Sequence, residues 1–401
     1  MLCYFDSDND VNLSYLEQIK NVRTLNELKT RLSVSNIDFV TSTEYAKPGI
    51  YLIEVSKVPE LWCAKTFPSS SNILLNIPSR VIRAAKQRQI RIVILSTIEG
   101  DNFTSKSFDG FAHLNNTVKL LGLPKCSLLI ISGNLNAGQQ YAKWSKENNQ
   151  QELIEFQEGI EWDGKTSNQL DTPIKIKEYS YLINSLNRAH RPHRTEHLFF
   201  LAEKKLLDSS LVSGGVWFDE LPIVEPKYQD IDFNHYKSTL LENYPRTLDV
   251  VDIKTNTPNL VNNLNLYEDS LLSVVTESHY DQTGGLFITE KTFRPILVGH
   301  PFMILGQPYI LKKLQEWGFR TDFDGLDLTF DSIEDDQERF TQFHQSLYNW
   351  AILNAEIKRT LMYKWDNTIK HNFYHYKTLD FKKIMFDRVI ESTELYFKTN
   401  S

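Results

Sequence analysis

The strongest constraint in this sequence is a succession of short apolar runs separated by segments with helical spacing. Ile50–Val55 (IYLIEV), Arg91–Thr97 (RIVILST) and Ser127–Ser132 (SLLIIS) are nearly continuous in apolar residues. They are β-branched and bounded by polar or turn residues, as strands are. Asn36–Thr41 (NIDFVT) reads the same way, and Gly133–Asn134 closes SLLIIS as a turn. Arg80–Arg88 and Gly110–Leu121 read as the helices between them. A strand that is apolar on both faces must be covered on both faces, so this alternation predicts a parallel sheet flanked by helices.

The alternation pauses over a polar stretch from about Lys146 to Lys177 and then resumes. Tyr179–Leu186 reads as a strand, His193–Leu207 as a helix and Leu211–Ser213 as a short strand. Leu271–Thr276 (LLSVVT), a helix from about Glu290, the strand Pro301–Leu305 (PFMIL) and the helix Tyr309–Trp317 follow. Phe343–Trp365 and Phe381–Phe397 carry apolar residues three and four apart, which is helical spacing. The expected organisation is two α/β domains, residues 1–175 and 176–401, with the terminal helices in the second. In such sheets, ligands bind beyond the carboxyl ends of the strands.

Composition narrows the function. The chain has 401 residues, 41% hydrophobic and 24% charged, with a net charge of -7. That is ordinary globular usage and excludes a wholly disordered chain. A pI near 5.9 argues against a broad cationic face for nucleic acid. No run of about 18 apolar residues predicts a membrane span. The opening MLCYFDSDND has no secretory pattern. Cys3, Cys63 and Cys126 form no C-x-x-C pair, which fits a reducing, cytoplasmic setting. Phosphate-loop, dinucleotide and nucleophile-elbow motifs are absent from the sequence. The Asp-x-Asp pairs at Asp6–Asp8, Asp8–Asp10 and Asp230–Asp232 follow no convincing core strand.

Four segments carry candidate chemistry. In LFITEKTFRPILVGHP, Thr289 is a good N-cap for a helix whose first turn holds Glu290, Lys291, Thr292 and Arg294. Free N–H groups at a helix start favour an anion, and Lys291 and Arg294 share one face there. Cations at that end oppose the macrodipole by about 0.3–1 kcal/mol, a conflict that a bound phosphate relieves. Pro295 disfavours helical geometry at Arg294, so the helix is expected to begin a few residues later. In NSLNRAHRPHR, Arg188, Arg191 and Arg194 recur every third residue before a helix begun by Pro192, and their forked donors suit phosphate oxygens. His193 and His197 lack the acidic residue of an H-E-x-x-H metal motif, so no metal site is expected. Glu277, His279 and Tyr280 follow LLSVVT at a strand end. Glu99 and Asp101 follow RIVILST, where a carboxylate could take a proton from an acceptor hydroxyl.

The segment ITEKTFRPILVGHPFMILG resembles the donor-site motif of fucosyltransferase- and exostosin-like glycosyltransferases. The upstream N-R-x-x-R-x-H-R loop is similar to the Arg-containing loop that opens the donor domain in that family. More distant similarity is to phage-type DNA glucosyltransferases. The stretch that carries the resemblance is about Tyr179–Gly318. Arg294–Pro295 departs from the family's continuous helical sequence, and the Arg loop is unusually rich in His. The resemblance implies a GT-B fold of two facing Rossmann-like domains, the second holding a nucleotide-sugar and the first an acceptor, without a catalytic metal. On this basis Glu290 would bind the ribose, and Lys291 with one of Arg188, Arg191 or Arg194 the diphosphate. Glu99 or Asp101 would be the acceptor-side base. The expected reaction is transfer of a hexosyl or fucosyl group from a GDP- or UDP-linked donor, with no other cofactor. The acceptor, a glycan, lipid, protein or modified DNA base, stays open. A non-catalytic nucleotide- or anion-binding protein that kept the fold is the alternative.

Overall fold

The structure, a computed structural model, describes residues 2–5, 38–41, 47–55, 63, 72–97, 102–160, 170–176, 179–187, 189–214, 227, 240, 248, 264–281 and 285–399. The chain forms two compact units. One comprises Met1–Glu161, Thr283–Phe287 and Asp380–Ser401, and the other Trp162–Gln282 and Ile288–Leu379.

The first unit is built on a six-stranded sheet. Its elements are β1 (Leu2–Phe5), β2 (Asp38–Thr41), β3 (Gly49–Glu54), α1 (Ser79–Lys86), β4 (Ile90–Ser96), a hairpin of β5 (Thr104–Ser105) and β6 (Phe108–Asp109), α2 (Gly110–Leu121), β7 (Leu128–Ser132), α3 (Ala137–Glu147) and β8 (Ile154–Glu158). The sheet order is β2-β1-β3-β4-β7-β8, and every pairing in it is parallel. Strand alternation sorts the core residues. Ile92, Ile94 and Ile130 pack with Val81 of α1, Phe111 and Leu114 of α2 and Tyr141 of α3. Ile50, Leu52, Val93, Leu95, Leu129 and Ile131 point to the opposite face.

The second unit holds a four-stranded parallel sheet. Its elements are β9 (Tyr181–Ser185), α4 (Pro192–Glu203), β10 (Ser210–Val212), α5 (Leu264–Glu268), β11 (Ser270–Thr276), α6 (Glu290–Val298), β12 (Phe302–Leu305), α7 (Ile310–Glu316), α8 (Asp336–Ala351) and α9 (Ala355–Thr378). The order is β10-β9-β11-β12. β11 is buried along its whole length, as its apolar sequence requires. Strand order reverses between β9 and β11, which makes the crevice at their carboxyl ends this unit's expected ligand position. α6 stops at Gly299, whose φ of 73° is left-handed. A Cβ there would stand 2.4 Å from that of Pro173, so the position admits only glycine.

The last helix, α10 (Phe381–Lys398), belongs to the first unit. Met385, Phe386 and Val389 cover the face that carries Ile50, Leu52, Val93 and Leu95. Arg91 on β4 fixes it. This fully buried guanidinium donates to the Cys126 carbonyl at 2.9 Å, to Ser392 Oγ at 2.7 Å and to Glu155 Oε2 at 2.5 Å. It also lies 5.2 Å from the ring centroid of Tyr396.

Several sequence expectations change. The division falls at Glu161, not 175, and α10 covers the first sheet, whereas the sequence placed it with the second domain. Helical periodicity reports an apolar stripe but not which sheet it will meet. The polar stretch from Lys146 contains edge strand β8, which alternates and therefore lacks a continuous apolar run. The predicted helix Phe343–Trp365 is two helices, broken where Asn354 accepts from the Ile357 N–H and caps α9. β1 ends at Phe5, so the Asp6–Asp8 pair does follow a strand. Asp6–Asp10 and Asp230–Asp232 lie outside the described residues. α6 starts at Glu290 despite Pro295, because a proline five positions into a helix removes only the bond to the Lys291 carbonyl.

Replacing Arg91 with Met removes a fully buried guanidinium from a pair whose carboxylate, Glu155, is 31% exposed, and it strands the buried groups that Arg91 donates to. A loss of about 3 kcal/mol in urea unfolding is expected. A loss of less than about 1 kcal/mol, the range of an exposed pair, would show that Arg91 does not hold α10.

Candidate functional site

The site is built from three segments at the carboxyl ends of β9 and β11: the loop after β9, the loop after β11, and the start of α6. Glu277, one residue past β11, organises them. Its side chain is fully buried and accepts four hydrogen bonds. Oε1 accepts from the Thr289 N–H at 3.1 Å and the Thr292 hydroxyl at 2.6 Å. Oε2 accepts from the Thr289 hydroxyl at 2.6 Å and the Ser278 N–H at 3.1 Å. Thr289 Oγ1 in turn accepts from the Lys291 N–H at 3.2 Å, capping α6. The helix start is thus tied to the strand end by a carboxylate and two hydroxyls.

The loop after β9 is tied to the same place by its basic residues. Arg194 is buried and donates to the carbonyls of Ala189, Thr276 and Glu277 at 3.0, 2.9 and 3.0 Å. His193 donates from Nε2 to the Glu277 carbonyl at 2.9 Å and stacks on Tyr280. Asn187 Oδ1 accepts from the Thr276 hydroxyl at 2.6 Å. Arg191 is exposed, and its Nε donates to the Ser278 carbonyl at 3.2 Å. Pro192 opens α4 immediately after it.

The accessible charges lie on the first turns of α6. Lys291 Nζ contacts Ser278 Oγ at 3.1 Å, Thr289 Oγ1 at 3.3 Å and Glu290 Oε1 at 3.0 Å. The Lys291 and Glu290 side chains are 23% and 20% exposed, within reach of a ligand. Arg294 Nη2 lies 4.0 Å from Glu290 Oε1. Burial raises the Glu290 pKa, but Lys291 and then Arg294 outweigh it and hold the carboxyl below its usual range. The cavity lined by Lys291, Arg294, Asn184 and Thr276 is about 20 Å³, room for one water. A larger anion must therefore sit on the open side of the helix start.

Of the residues singled out in the sequence, Glu290, Lys291 and Arg191 meet at one strand-end crevice with charge available, and Arg294 borders it. Thr289, Thr292, Glu277 and Arg194 are buried and committed to building it. Tyr280 is buried too. Its hydroxyl donates to the Asp336 carbonyl at 2.6 Å, and its ring lies 4.5 Å from the Arg339 guanidinium. Arg188, Glu99 and Asp101 lie outside the described residues. The sequence reading missed Ser278, which receives Lys291, and Arg339, which ties the loops after β11 and β12 by donating to Tyr280 and Gly306 carbonyls. Neither arginine nor serine at those positions stands in a recognisable motif. Among the described residues no three His, Cys, Asp or Glu side chains converge as a metal site would need. Nor is any described helix long and apolar enough to cross a membrane.

No family model matches the chain, and no curated protein does. Among solved structures it is similar to T4 phage BGT in complex with its UDP-glucose substrate, at 12% identity over 98% of each chain, with a TM-score of 0.40. It is similar to T4 phage BGT in complex with UDP and Mn2+, at 13% identity over 97% of this chain and 99% of that one, TM-score 0.40. It is also similar to Anabaena Alr3699/HepE in complex with UDP and glucose, at 10% identity over 98% of this chain and all of that one, TM-score 0.44.

Two measurements test the site's construction. Glu277→Ala strands four donors, and a loss of about 3 kcal/mol or more in urea unfolding is expected, with Glu277→Gln losing less. Equal, small losses would show that the carboxylate is not the anchor.

The second concerns pH. Among the described residues of this unit, four histidines are buried. Burial, and then the charge of Arg194, push His193 well below its ordinary value. Burial and then His197 do the same to His344. Burial alone takes His197 to about 3, and it takes His300 to about 4 against carbonyl hydrogen bonds that raise it. The unfolded chain, with His near 6.5, binds protons that the folded chain refuses. Stability is therefore complete above about pH 6.5 and falls as pH drops toward 4. Urea unfolding across that range should show the slope, shallower in His300→Gln, and a flat profile between pH 6.5 and 5 would contradict it.

Proposed function

We propose that the protein transfers a sugar from a nucleotide-diphosphate donor to an acceptor hydroxyl, with the donor bound by the second unit. The observation that carries this is the meeting at Ser278 of two cations, Lys291 on the first turn of Thr-capped α6 and Arg191 at the start of α4, where the strand order reverses. Positive side chains at the positive end of a helix oppose its dipole unless an anion sits there. A diphosphate satisfies Lys291, Arg191 and the helix N–H groups together. Glu290 beside them accepts two hydroxyls, which suits a ribose.

The chemistry follows from that arrangement. Breaking the bond to the diphosphate builds positive charge on the sugar carbon and negative charge on the leaving group. Lys291 and Arg191, held by Ser278, Thr289 and Glu290, stabilise that negative charge without reorganising. Because these cations supply the neutralisation, we assign the reaction no metal. The acceptor's proton goes to a carboxylate of the first unit, Glu99 or Asp101 on the strength of their place after β4. The donor is UDP- or GDP-linked.

Thermal shift with UDP and GDP tests the donor site. One of them should stabilise the protein, and Lys291→Ala should weaken that binding about tenfold to a hundredfold, the loss of one charge-assisted hydrogen bond. No response to any nucleoside diphosphate would refute the reading. Transfer or hydrolysis of a labelled sugar separates an enzyme from a protein that only binds nucleotide. Turnover should survive EDTA and fall in Glu99→Gln or Asp101→Asn with nucleotide binding intact.

A further inference from the structure

The first unit contains a groove of about 610 Å³ that the donor site does not use. It lies between the start of α3, the carboxyl end of β8 and α10. Its volume falls within the ~300–1,000 Å³ range of sites for small organic ligands.

Helix α10 presents two worked faces. Met385, Phe386 and Val389 meet the sheet. Arg388, Glu391, Ser392 and Leu395, at i, i+3, i+4 and i+7, form one stripe that lines the groove. Leu395 is 61% exposed, an apolar surface beside polar neighbours.

Opposite the stripe, β8 contributes Phe156, Gln157 and Glu158, and Gln139 stands exposed on the first turn of α3. Arg388 Nη1 and Glu158 Oε2 are 3.5 Å apart, with both side chains partly open to solvent at 50% and 27%. A guanidinium and carboxylate placed side by side offer forked donors and paired acceptors together. That is the complement of neighbouring hydroxyls, each of which donates once and accepts twice. Gln139 adds an amide with both functions.

The charge balance discriminates among ligands. Glu158 and Glu391 outnumber Arg388, so the groove is net negative and repels phosphate. A nucleic-acid backbone or a phospholipid head group is disfavoured, and so is a purely apolar chain, because the walls are polar.

We propose that this groove binds a carbohydrate chain through its hydroxyls, a reading that does not depend on the glycosyl-transfer proposal. Arg388 and Glu158 grip adjacent hydroxyls, Gln139 and Glu391 take others, and Leu395 lies against the C–H face of a ring.

The test is titration of the full chain, without nucleotide, with cellobiose, maltose, lactose and N,N′-diacetylchitobiose, followed by saturation-transfer NMR. At least one should bind saturably. Gln139→Trp, which fills the groove from an exposed position, and Arg388→Ala should each weaken that binding by about tenfold or more, with unchanged circular dichroism and melting. No binding by any of the four sugars would overturn the proposal. So would binding unaffected by both variants, or a groove-sensitive complex with a short DNA duplex in place of sugar. Nucleotide thermal shift, run in parallel, keeps the two readings apart. UDP or GDP binding without sugar binding removes this inference alone. Sugar binding without nucleotide binding removes the transferase reading and leaves the groove a carbohydrate site.

Discussion

Everything in the candidate donor site hangs on one buried carboxylate. Glu277 accepts from two hydroxyls and two backbone N–H groups, and those four bonds fix where β11 ends, where α6 begins and how Thr289 caps it. Burying a charged carboxylate is costly unless its lone pairs are filled, and here all are filled by groups that need a fixed acceptor themselves. The Glu277 carbonyl, meanwhile, receives Arg194 and His193 from the loop after β9. One residue therefore joins both sides of the strand-order reversal. Lys291 and Glu290 are positioned because the turn beneath them cannot shift.

Electrostatics explain why so acidic a chain still offers an anion site. Net charge describes the far field, whereas the site depends on which cations keep solvent access. Arg194 and Arg339 spend their guanidinium groups on strand-end and loop carbonyls and shape the crevice from within. Arg191 and Lys291 remain at its rim. His193 and His197, interleaved with the arginines, are held neutral by burial and add no charge. His197 donates from Nδ1 to His344 Nε2, whose own Nδ1–H reaches the Phe340 carbonyl, so both are neutral hydrogen-bonding wedges between α4 and α8.

Much of this was legible in the sequence because it is local. Buried strands such as RIVILST and LLSVVT declare themselves by unbroken apolar runs, and Thr289 before a charged turn declares a cap. Strands β2, β3, β4 and β7 of the first sheet were visible, while β1 and edge strand β8 were not, and β8 alternates in sequence and so shows no unbroken apolar run. Side-chain assignments were harder. Spacing showed that Arg188, Arg191 and Arg194 recur, but not that Arg194 would turn inward toward the end of β11. Glu277 looked like a ligand group because a strand-end carboxylate often is one. Its four partners come from Ser278 next to it and from Thr289 and Thr292, 12 and 15 positions on, beyond the reach of periodicity. The ownership of α10 was invisible for the same reason on a larger scale.

That last helix has a consequence for how the protein is made. The face of the first sheet that holds Ile50, Leu52, Val93, Leu95, Leu129 and Ile131 is closed by Met385, Phe386 and Val389, roughly 250–340 positions later in the chain. At synthesis rates of roughly 5–20 residues per second, those six side chains wait on the order of 10–70 s for their cover. The second unit is complete at Leu379, just before the segment from Asp380 that the first unit still needs. The N-terminal unit is thus the last to close. Its nascent form carries an open apolar sheet face, the kind of surface that chaperones hold until the chain comes back to it.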